Sequence, residues 1–516
     1  MGASAFFVSM ELYAACAPPE IFKEAHMAIL QINNLSFGYD DELIFEHLTL
    51  SLDTDWKLGF IGRNGRGKTT LLRLLAGELT PQEGGIKTSA HFAVFPFPMQ
   101  EGALAADAVR ECASAEDWRL ERELNRLDVD AQDVLWRPVS TLSGGERTKL
   151  QLAALFAADD PSFLLIDEPT NHLDALGRAA VGDYLASKSG FLMVSHDRAF
   201  LDRSVDHILS LQKTGMMIEQ GNYSTYAFNQ ARRDEWDTTR NERLEKDIRK
   251  MEESQRAKRQ WSDNVEKGKI GSHSADRGAV GHMAAKGMKR ALSIQTRQQR
   301  MIDEKKELLQ DLEYASKLTL ETLPHDKKVF LAAENLSLGY GGIPVVSGLH
   351  FQLGQGERLA VVGPNGAGKT TLLKAVLGNI APLGGRLSAA PRLVVSHIAQ
   401  DTTHLRGDVR DFALERGAEL SRFLMLLRKL DFRRSTFELP IQWMSEGQKK
   451  KLLIAASLCT PAHLYLWDEP LNYVDVLSRV QIEELIVGSS ATILMVEHDE
   501  TFLDRIGARR LNLIAN

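Results

Sequence analysis

Gly62-Arg63-Asn64-Gly65-Arg66-Gly67-Lys68-Thr69 returns 301 residues later as Gly363-Pro364-Asn365-Gly366-Ala367-Gly368-Lys369-Thr370. Each copy follows a short apolar run (Lys57-Leu58-Gly59-Phe60-Ile61; Arg358-Leu359-Ala360-Val361-Val362) and leads into Thr70-Leu71-Leu72 or Thr371-Leu372-Leu373. Strand, glycine loop and helix in that order read as one α/β unit, present twice. Further repeats extend outward at the same offset, to within one residue. Leu142-Ser143-Gly144-Gly145-Glu146 matches Met444-Ser445-Glu446-Gly447-Gln448, Asp167-Glu168-Pro169 matches Asp468-Glu469-Pro470, and Ser195-His196-Asp197 matches Glu497-His498-Asp499. Tyr39 and Tyr340 each stand 29 residues before their lysine. Markers repeated in one order at one spacing define two homologous modules, 28–227 and 328–516.

The 516 residues are too many for one core, in keeping with two domains. With 44% hydrophobic and 25% charged residues the composition is that of a globular protein. No apolar run reaches the roughly 18 residues a membrane span needs. Cys16, Cys112 and Cys459 are scattered and odd in number, which argues for a reducing compartment, the cytosol. Residues 1–27 lack the basic start of a secretory signal and are read as an N-terminal extension, disordered or the product of an overextended start.

The segment 228–327 has no counterpart in either module. It reads as two long helices, about 225–260 and 283–318, joined by a turn containing Gly268, Gly271, Gly278 and Gly281: an antiparallel hairpin. The whole chain carries a net charge of −7. Residues 254–300 nevertheless hold 11 basic and 3 acidic side chains. A locally basic arm on an acidic body suits RNA phosphates, with Arg256, Lys258, Arg259, Lys267, Lys269, Arg277, Lys286, Lys289 and Arg290 as candidates.

Glycines let backbone N–H groups curl around phosphate oxygens, with the positive end of the following helix behind them. This makes Gly62, Asn64, Gly65, Gly67, Lys68, Thr69 and Thr70, and likewise Gly363, Asn365, Gly366, Gly368, Lys369, Thr370 and Thr371, candidate phosphate contacts. The lysines should reach the β/γ-phosphates, and Thr69 and Thr370 should ligate Mg²⁺. Asp167 and Asp468 end apolar strands where a carboxylate can organise that ion. Glu168 and Glu469, next in line, are candidate general bases or water-positioners. His196 and His498 follow a second apolar strand in each module and are candidate γ-phosphate sensors. Gln400 is a candidate link to the metal, and Gln100 is the nearest glutamine in the first module.

The Ser-Gly-Gly-Glu element, Asp167–Asp174 (Asp-Glu-Pro-Thr-Asn-His-Leu-Asp) and the histidine loop together resemble the ATP-binding-cassette ATPases. That resemblance implies an α/β fold of two P-loop nucleotide-binding domains joined by a long α-helical hairpin linker. It also implies a head-to-tail sandwich of two ATP molecules within one chain, a monomer. Lys68 would then face Ser445 and Gly447, Lys369 would face Ser143, Gly144 and Gly145, and Tyr39 and Tyr340 would stack on adenine. Two cassettes around a helical insert resemble the ABC-F subfamily, which acts on ribosomes. Ser445–Lys451, Trp467–Asp475 and Gly281–Arg290 are similar to its antibiotic-resistance branch, the Lsa and Vga type.

The resemblance implies ATP-dependent binding at the tRNA exit site of the 70S ribosome, with the arm directed at 23S rRNA and P-site tRNA. Lincosamides, streptogramin A and pleuromutilins would be displaced from the peptidyl-transferase centre. A housekeeping factor that relieves stalled ribosomes is the alternative, and a transporter ATPase subunit a distant third. Glu446 stands where a second signature glycine is usual, and Leu471 and Tyr473 where the first module has Thr170 and His172. The two ATP sites are therefore expected to be unequal, with the Glu446 carboxylate beside the γ-phosphate of the first.

Overall fold

The computed structural model describes residues 29–39, 42–113, 116–158, 162–212, 215–269, 318–432 and 435–514. The first half is built on a six-stranded sheet in the order His91–Phe95, Ser162–Asp167, Phe191–Val194, Lys57–Gly62, His207–Gln212, Gly215–Gln220. Its strands run parallel except the last. The second half repeats the plan with five parallel strands, Val395–Ile398, Leu464–Asp468, Thr492–Val496, Arg358–Val362 and Arg509–Asn512. Parallel strands are covered on both faces, so the uninterrupted apolar runs of the sequence are what such a sheet requires. Phe163 to Ile166, Phe191 to Val194 and Leu464 to Trp467 are all buried. Beside each large sheet lies a three-stranded antiparallel one, Glu42–Asp53, Ile29–Tyr39, Glu83–Lys87 and Ile343–Gly354, Val329–Tyr340, Gly384–Ala389.

Each half has two cores. One packs the antiparallel sheet and the helix after the glycine loop against one sheet face; the other packs a helical layer against the opposite face. That helical layer (Ala105–Cys112, Asp117–Arg126 and Ala131–Leu135 in the first half) carries the helix Gly144–Ala157. Glu123 is fully buried there and is held by the Tyr184 hydroxyl at 2.9 Å together with Lys188, Arg122 and Arg126.

Between the halves runs one helix, Tyr223–Lys269, of 47 residues. At 1.5 Å per residue it is about 70 Å long. It is rooted on the first half, where Asp202 accepts from the Ser224 backbone N–H (2.6 Å) and hydroxyl (2.5 Å) and Glu219 pairs with Arg233 at 2.6 Å. The expected end near residue 260 is corrected, because the helix continues through Gly268; a lone glycine costs a helix only about 1 kcal/mol. Ile248 is buried and Leu244 and Met251 are half-buried. Arg256 is exposed, and Lys258, Arg259, Lys267 and Lys269 belong to the same helix. The extension 1–27, the second helix expected over 283–318, and Arg277, Lys286, Lys289 and Arg290 lie outside the described residues. No described helix is long and apolar enough to cross a membrane.

Candidate nucleotide sites between the two halves

Each glycine loop closes onto the N-terminus of a helix, Lys68–Leu75 or Lys369–Val376, through a glycine in the left-handed region (Gly67, φ 103°; Gly368, φ 90°). A Cβ at either position would lie 2.4 Å from an apolar side chain beneath, Ile44 or Val346, so only glycine fits. The Lys68 ammonium donates to the carbonyls of Gly62 (2.8 Å) and Arg63 (3.1 Å) and to Asn64 Oδ1 (3.3 Å). Lys369 does the same to Gly363 (2.8 Å) and Pro364 (3.0 Å). Both cations therefore sit coiled over their own loop, where phosphate oxygens would replace the carbonyls.

The loops face each other's modules. Asn64 Nδ2 donates to the Tyr473 carbonyl at 2.6 Å, and Asn365 Nδ2 to the His172 carbonyl at 3.1 Å. A cavity of about 950 Å³ is lined by Tyr39, Asn64, Gly65, Gly67, Lys68, Thr69, Thr70, Asp167, Glu168 and His196 from the first half and by Ser445, Glu446, Gly447 and Tyr473 from the second. A second, of about 850 Å³, joins Tyr340, Asn365, Gly366, Gly368, Lys369, Thr370, Thr371, Gln400, Glu469 and His498 to Ser143, Gly144 and His172. Gly62, Gly363, Gly145 and Asp468 do not line these two cavities. Behind each wall a serine caps its helix reciprocally, Ser143 with Glu146 and Ser445 with Gln448. Gln100 is exposed and lies outside the first cavity.

Both modules match the family model described as ABC transporter, over residues 45–171 and 346–472. Each module is an ATP-binding cassette. The tandem chain is 28% identical to the ribosome protection protein VmlR of Bacillus subtilis (95% of this chain, 87% of that one) and 29% identical to the tylosin resistance ATP-binding protein TlrC of Streptomyces fradiae (94% and 97%). It is 28% identical to the energy-dependent translational throttle protein EttA of Mycobacterium tuberculosis (91% and 88%). The archaeal ribosome recycling factor aABCE1, solved with the stalk protein aP1, shares the fold at a TM-score of 0.61 and 20% identity, covering 93% of this chain and 87% of that one. These relatives bear out the ABC-F resemblance, and a chain of two such cassettes is an ATPase.

The two sites of the cassette pair differ in their electrostatics. Glu168 and Glu469 both hold left-handed backbone (φ 51° and 47°), as residues in strained active-site turns do. In the first site burial, and then the neighbouring Asp167, push Glu168 up to about 8. His196 Nε2 lies 3.3 Å from Glu168 Oε1 but without hydrogen-bond geometry, and burial holds this histidine well below its usual value. In the second site burial works against ionisation of Glu469, yet His498 and Gln400 keep its carboxyl below the usual range. Gln400 Nε2 and Asn472 Nδ2 donate to Glu469 Oε2 at 2.8 and 2.6 Å, and His498 stands at 3.7 Å. Gln100, exposed and outside the first cavity, does not hold Glu168 as Gln400 holds Glu469. The Glu446 carboxylate is held by the Thr402 hydroxyl and by Lys449 at 2.9 Å.

For Mg²⁺ the donor sets fit. Thr69 Oγ1 meets Asp167 Oδ2 at 3.1 Å, and Asp468 Oδ1 is buried with no hydrogen-bond partner. Burial, then Glu469, pushes Asp468 up to about 6, a charge deficit that a cation would relieve.

Sequence reasoning missed several contributors. Asp431 pairs with Arg63 and Arg66 at 3.4 Å across the cassettes; the signal was two arginines where the other loop has Pro364 and Ala367. Arg198 pairs with Glu483, both buried, and Arg505 joins at 3.1 Å. Lys451, last of the three lysines Lys449–Lys451, is buried against Asp475 at 2.6 Å and donates to the Leu430 carbonyl at 2.7 Å. Burial opposes ionisation of Asp475, but Lys451 holds it far below the usual range. Lys451→Met strands that carboxylate and should cost about 3–5 kcal/mol, read as a lowered Tm. Because the folded-state value of Asp475 is depressed, the pair's stabilisation is present above its unfolded value of 3.8 and is lost only as the pH falls toward the folded value. The wild-type stabilisation should thus be constant from pH 8 to 5, whereas the variant, whose Asp475 is left to the burial that raises it, should recover part of its deficit as the pH falls and the carboxylate takes up a proton.

Proposed function

We propose that this chain is a ribosome-binding ABC-F ATPase that protects the peptidyl-transferase centre from lincosamide, streptogramin A and pleuromutilin antibiotics. The observation that carries the reading is that each nucleotide cavity needs walls from both cassettes, while a helix of 47 residues leaves the first cassette. The relatives named for ribosome protection and tylosin resistance support the drug-related branch.

Two ATP molecules close the cassettes, with Tyr39 and Tyr340 against adenine, Lys68 and Lys369 on the phosphates, and Ser445, Gly447, Ser143 and Gly145 completing the opposite walls. Thr69 with Asp167, and Thr370 with Asp468 and Gln400, would hold Mg²⁺, which neutralises phosphate charge when bound. Glu168 and Glu469 position or deprotonate the attacking water, and His196 and His498 orient those glutamates against the γ-phosphate. In the closed form the chain binds the 70S ribosome at the tRNA exit site. The basic end of the arm (Arg256, Lys258, Arg259, Lys267, Lys269, Lys286, Lys289, Arg290) meets 23S rRNA or P-site tRNA, and drug is displaced. Hydrolysis opens the cassettes and releases the cytoplasmic monomer.

A translation factor acting without drug is the second reading, favoured by the relation to the throttle protein EttA. Expression in a susceptible host should raise the inhibitory concentration of all three drug classes, and Lys68→Ala with Lys369→Ala should abolish the rise. Unchanged susceptibility together with ATP-dependent ribosome binding would select the second reading.

A further inference from the structure

Glu446 borders both nucleotide cavities, although it belongs to one signature loop. It is the first residue of the helix Glu446–Cys459, between Ser445 and Gly447, which wall the first site. Its carboxylate turns along its own cassette: one oxygen accepts from Lys449 at 2.9 Å and the other from the hydroxyl of Thr402, a residue only 2% exposed. Thr402 stands two positions after Gln400, whose amide holds Glu469 of the second site. Two hydrogen bonds joined by the backbone from Gln400 to Thr402 thus connect Glu469 to Glu446 and the wall of the first site.

The other cassette cannot form this connection. Gly144 occupies the position of Glu446, and a Cβ there would lie 2.7 Å from the His172 side chain. The stretch corresponding to Thr402, Met99-Gln100-Glu101, holds no hydroxyl side chain. The tie that remains is Arg147 to Glu101 at 2.7 Å, with side chains 34% and 61% exposed, where solvent screens it.

We infer that Glu446 is a positioning residue that couples the two sites along one of the two possible routes: the placement of Gln400 and Glu469 at the second site is linked to that of Ser445 and Gly447 at the first. The inference rests on the ATPase reading and on head-to-tail composite sites. Nucleotide that draws Gln400 moves Thr402, and Thr402 moves the first turn of the signature helix through its bond to Glu446.

The test uses the full-length chain carrying Glu469→Gln, in which turnover reports the first site. There Thr402→Val, which removes the donor at similar volume, should lower kcat about fivefold with KM for ATP unchanged. Thr402→Ser, which restores a hydroxyl, should return kcat to that of the parent and so exclude misfolding as the cause. Glu446→Ala should match Thr402→Val, and the two together should be no worse than either alone. First-site turnover unaffected by Thr402→Val, or effects that multiply, would overturn the coupling while leaving the ATPase standing. A wild-type chain without ATP turnover would overturn both.

Discussion

Changing Glu168 and Glu469 together to Gln should lower ATP turnover by about 100-fold or more, the contribution of a positioned general base. The same variant should cosediment with 70S ribosomes in ATP far better than wild type. Gln keeps the size and the left-handed backbone of both positions, so ATP still closes the cassettes, and only the exit from the closed form is lost. Cosedimentation no better than wild type would remove the proposed cycle at its root. The single variants should separate by pH. With Glu469→Gln, turnover depends on Glu168, whose carboxyl is held up to about 8 and must ionise to act as a base; its rate should climb between pH 7 and 8. With Glu168→Gln, turnover depends on Glu469, held low by His498 and Gln400 against its burial, and the rate should be flat over that interval.

Gly447→Ala should be nearly as damaging, and only at the first site. A methyl group there would stand 2.5 Å from Asn64 Nδ2 and 2.5 Å from the Tyr473 carbonyl, the two groups that bond across the cassettes. The Tyr473 carbonyl is backbone and cannot move cheaply, and Asn64 can swing away only by giving up its bond to that carbonyl across the cassettes; displacement of reacting groups by about 1 Å costs roughly 100-fold in rate. Gly145→Ala separates the two causes: its added carbon would find protein neighbours no closer than 3.6 Å, so a loss at the second site would read crowding of the nucleotide itself and not displacement of the opposing loop. Turnover of each variant in the appropriate single-glutamine background reads both effects.

The repeat of Gly62–Thr69 at Gly363–Thr370 made the two-cassette architecture legible, because close approach of backbone to phosphate tolerates few residue types and so leaves a fixed pattern. The facing of Lys68 toward Ser445 and Gly447 was legible only through the family resemblance, since nothing local to either loop says what lies opposite. Lys451 was illegible: it sits among three lysines, and burial against Asp475 is a tertiary fact that no periodicity announces. The same holds for Thr402 and Glu446. The latter reads as an intrusion on the phosphates, yet its carboxylate is tied to Thr402 and Lys449. The first helix of the arm outruns its sequence signal because glycine ordinarily marks a helix end, whereas Gly268 lies within a helix that continues to Lys269.

The rooting of that helix has a mechanical consequence. Asp202 and Glu219 fasten its first turns to one cassette, so any rotation of that body is passed on without a hinge. Over a shaft of about 70 Å, a tilt of only 5° sweeps its far end at Lys269 through about 6 Å, close to the spacing of neighbouring nucleotides. In the proposed cycle, small closures at the nucleotide would thereby be geared up to displacements on the scale of a base, with no soft joint required anywhere in the described length.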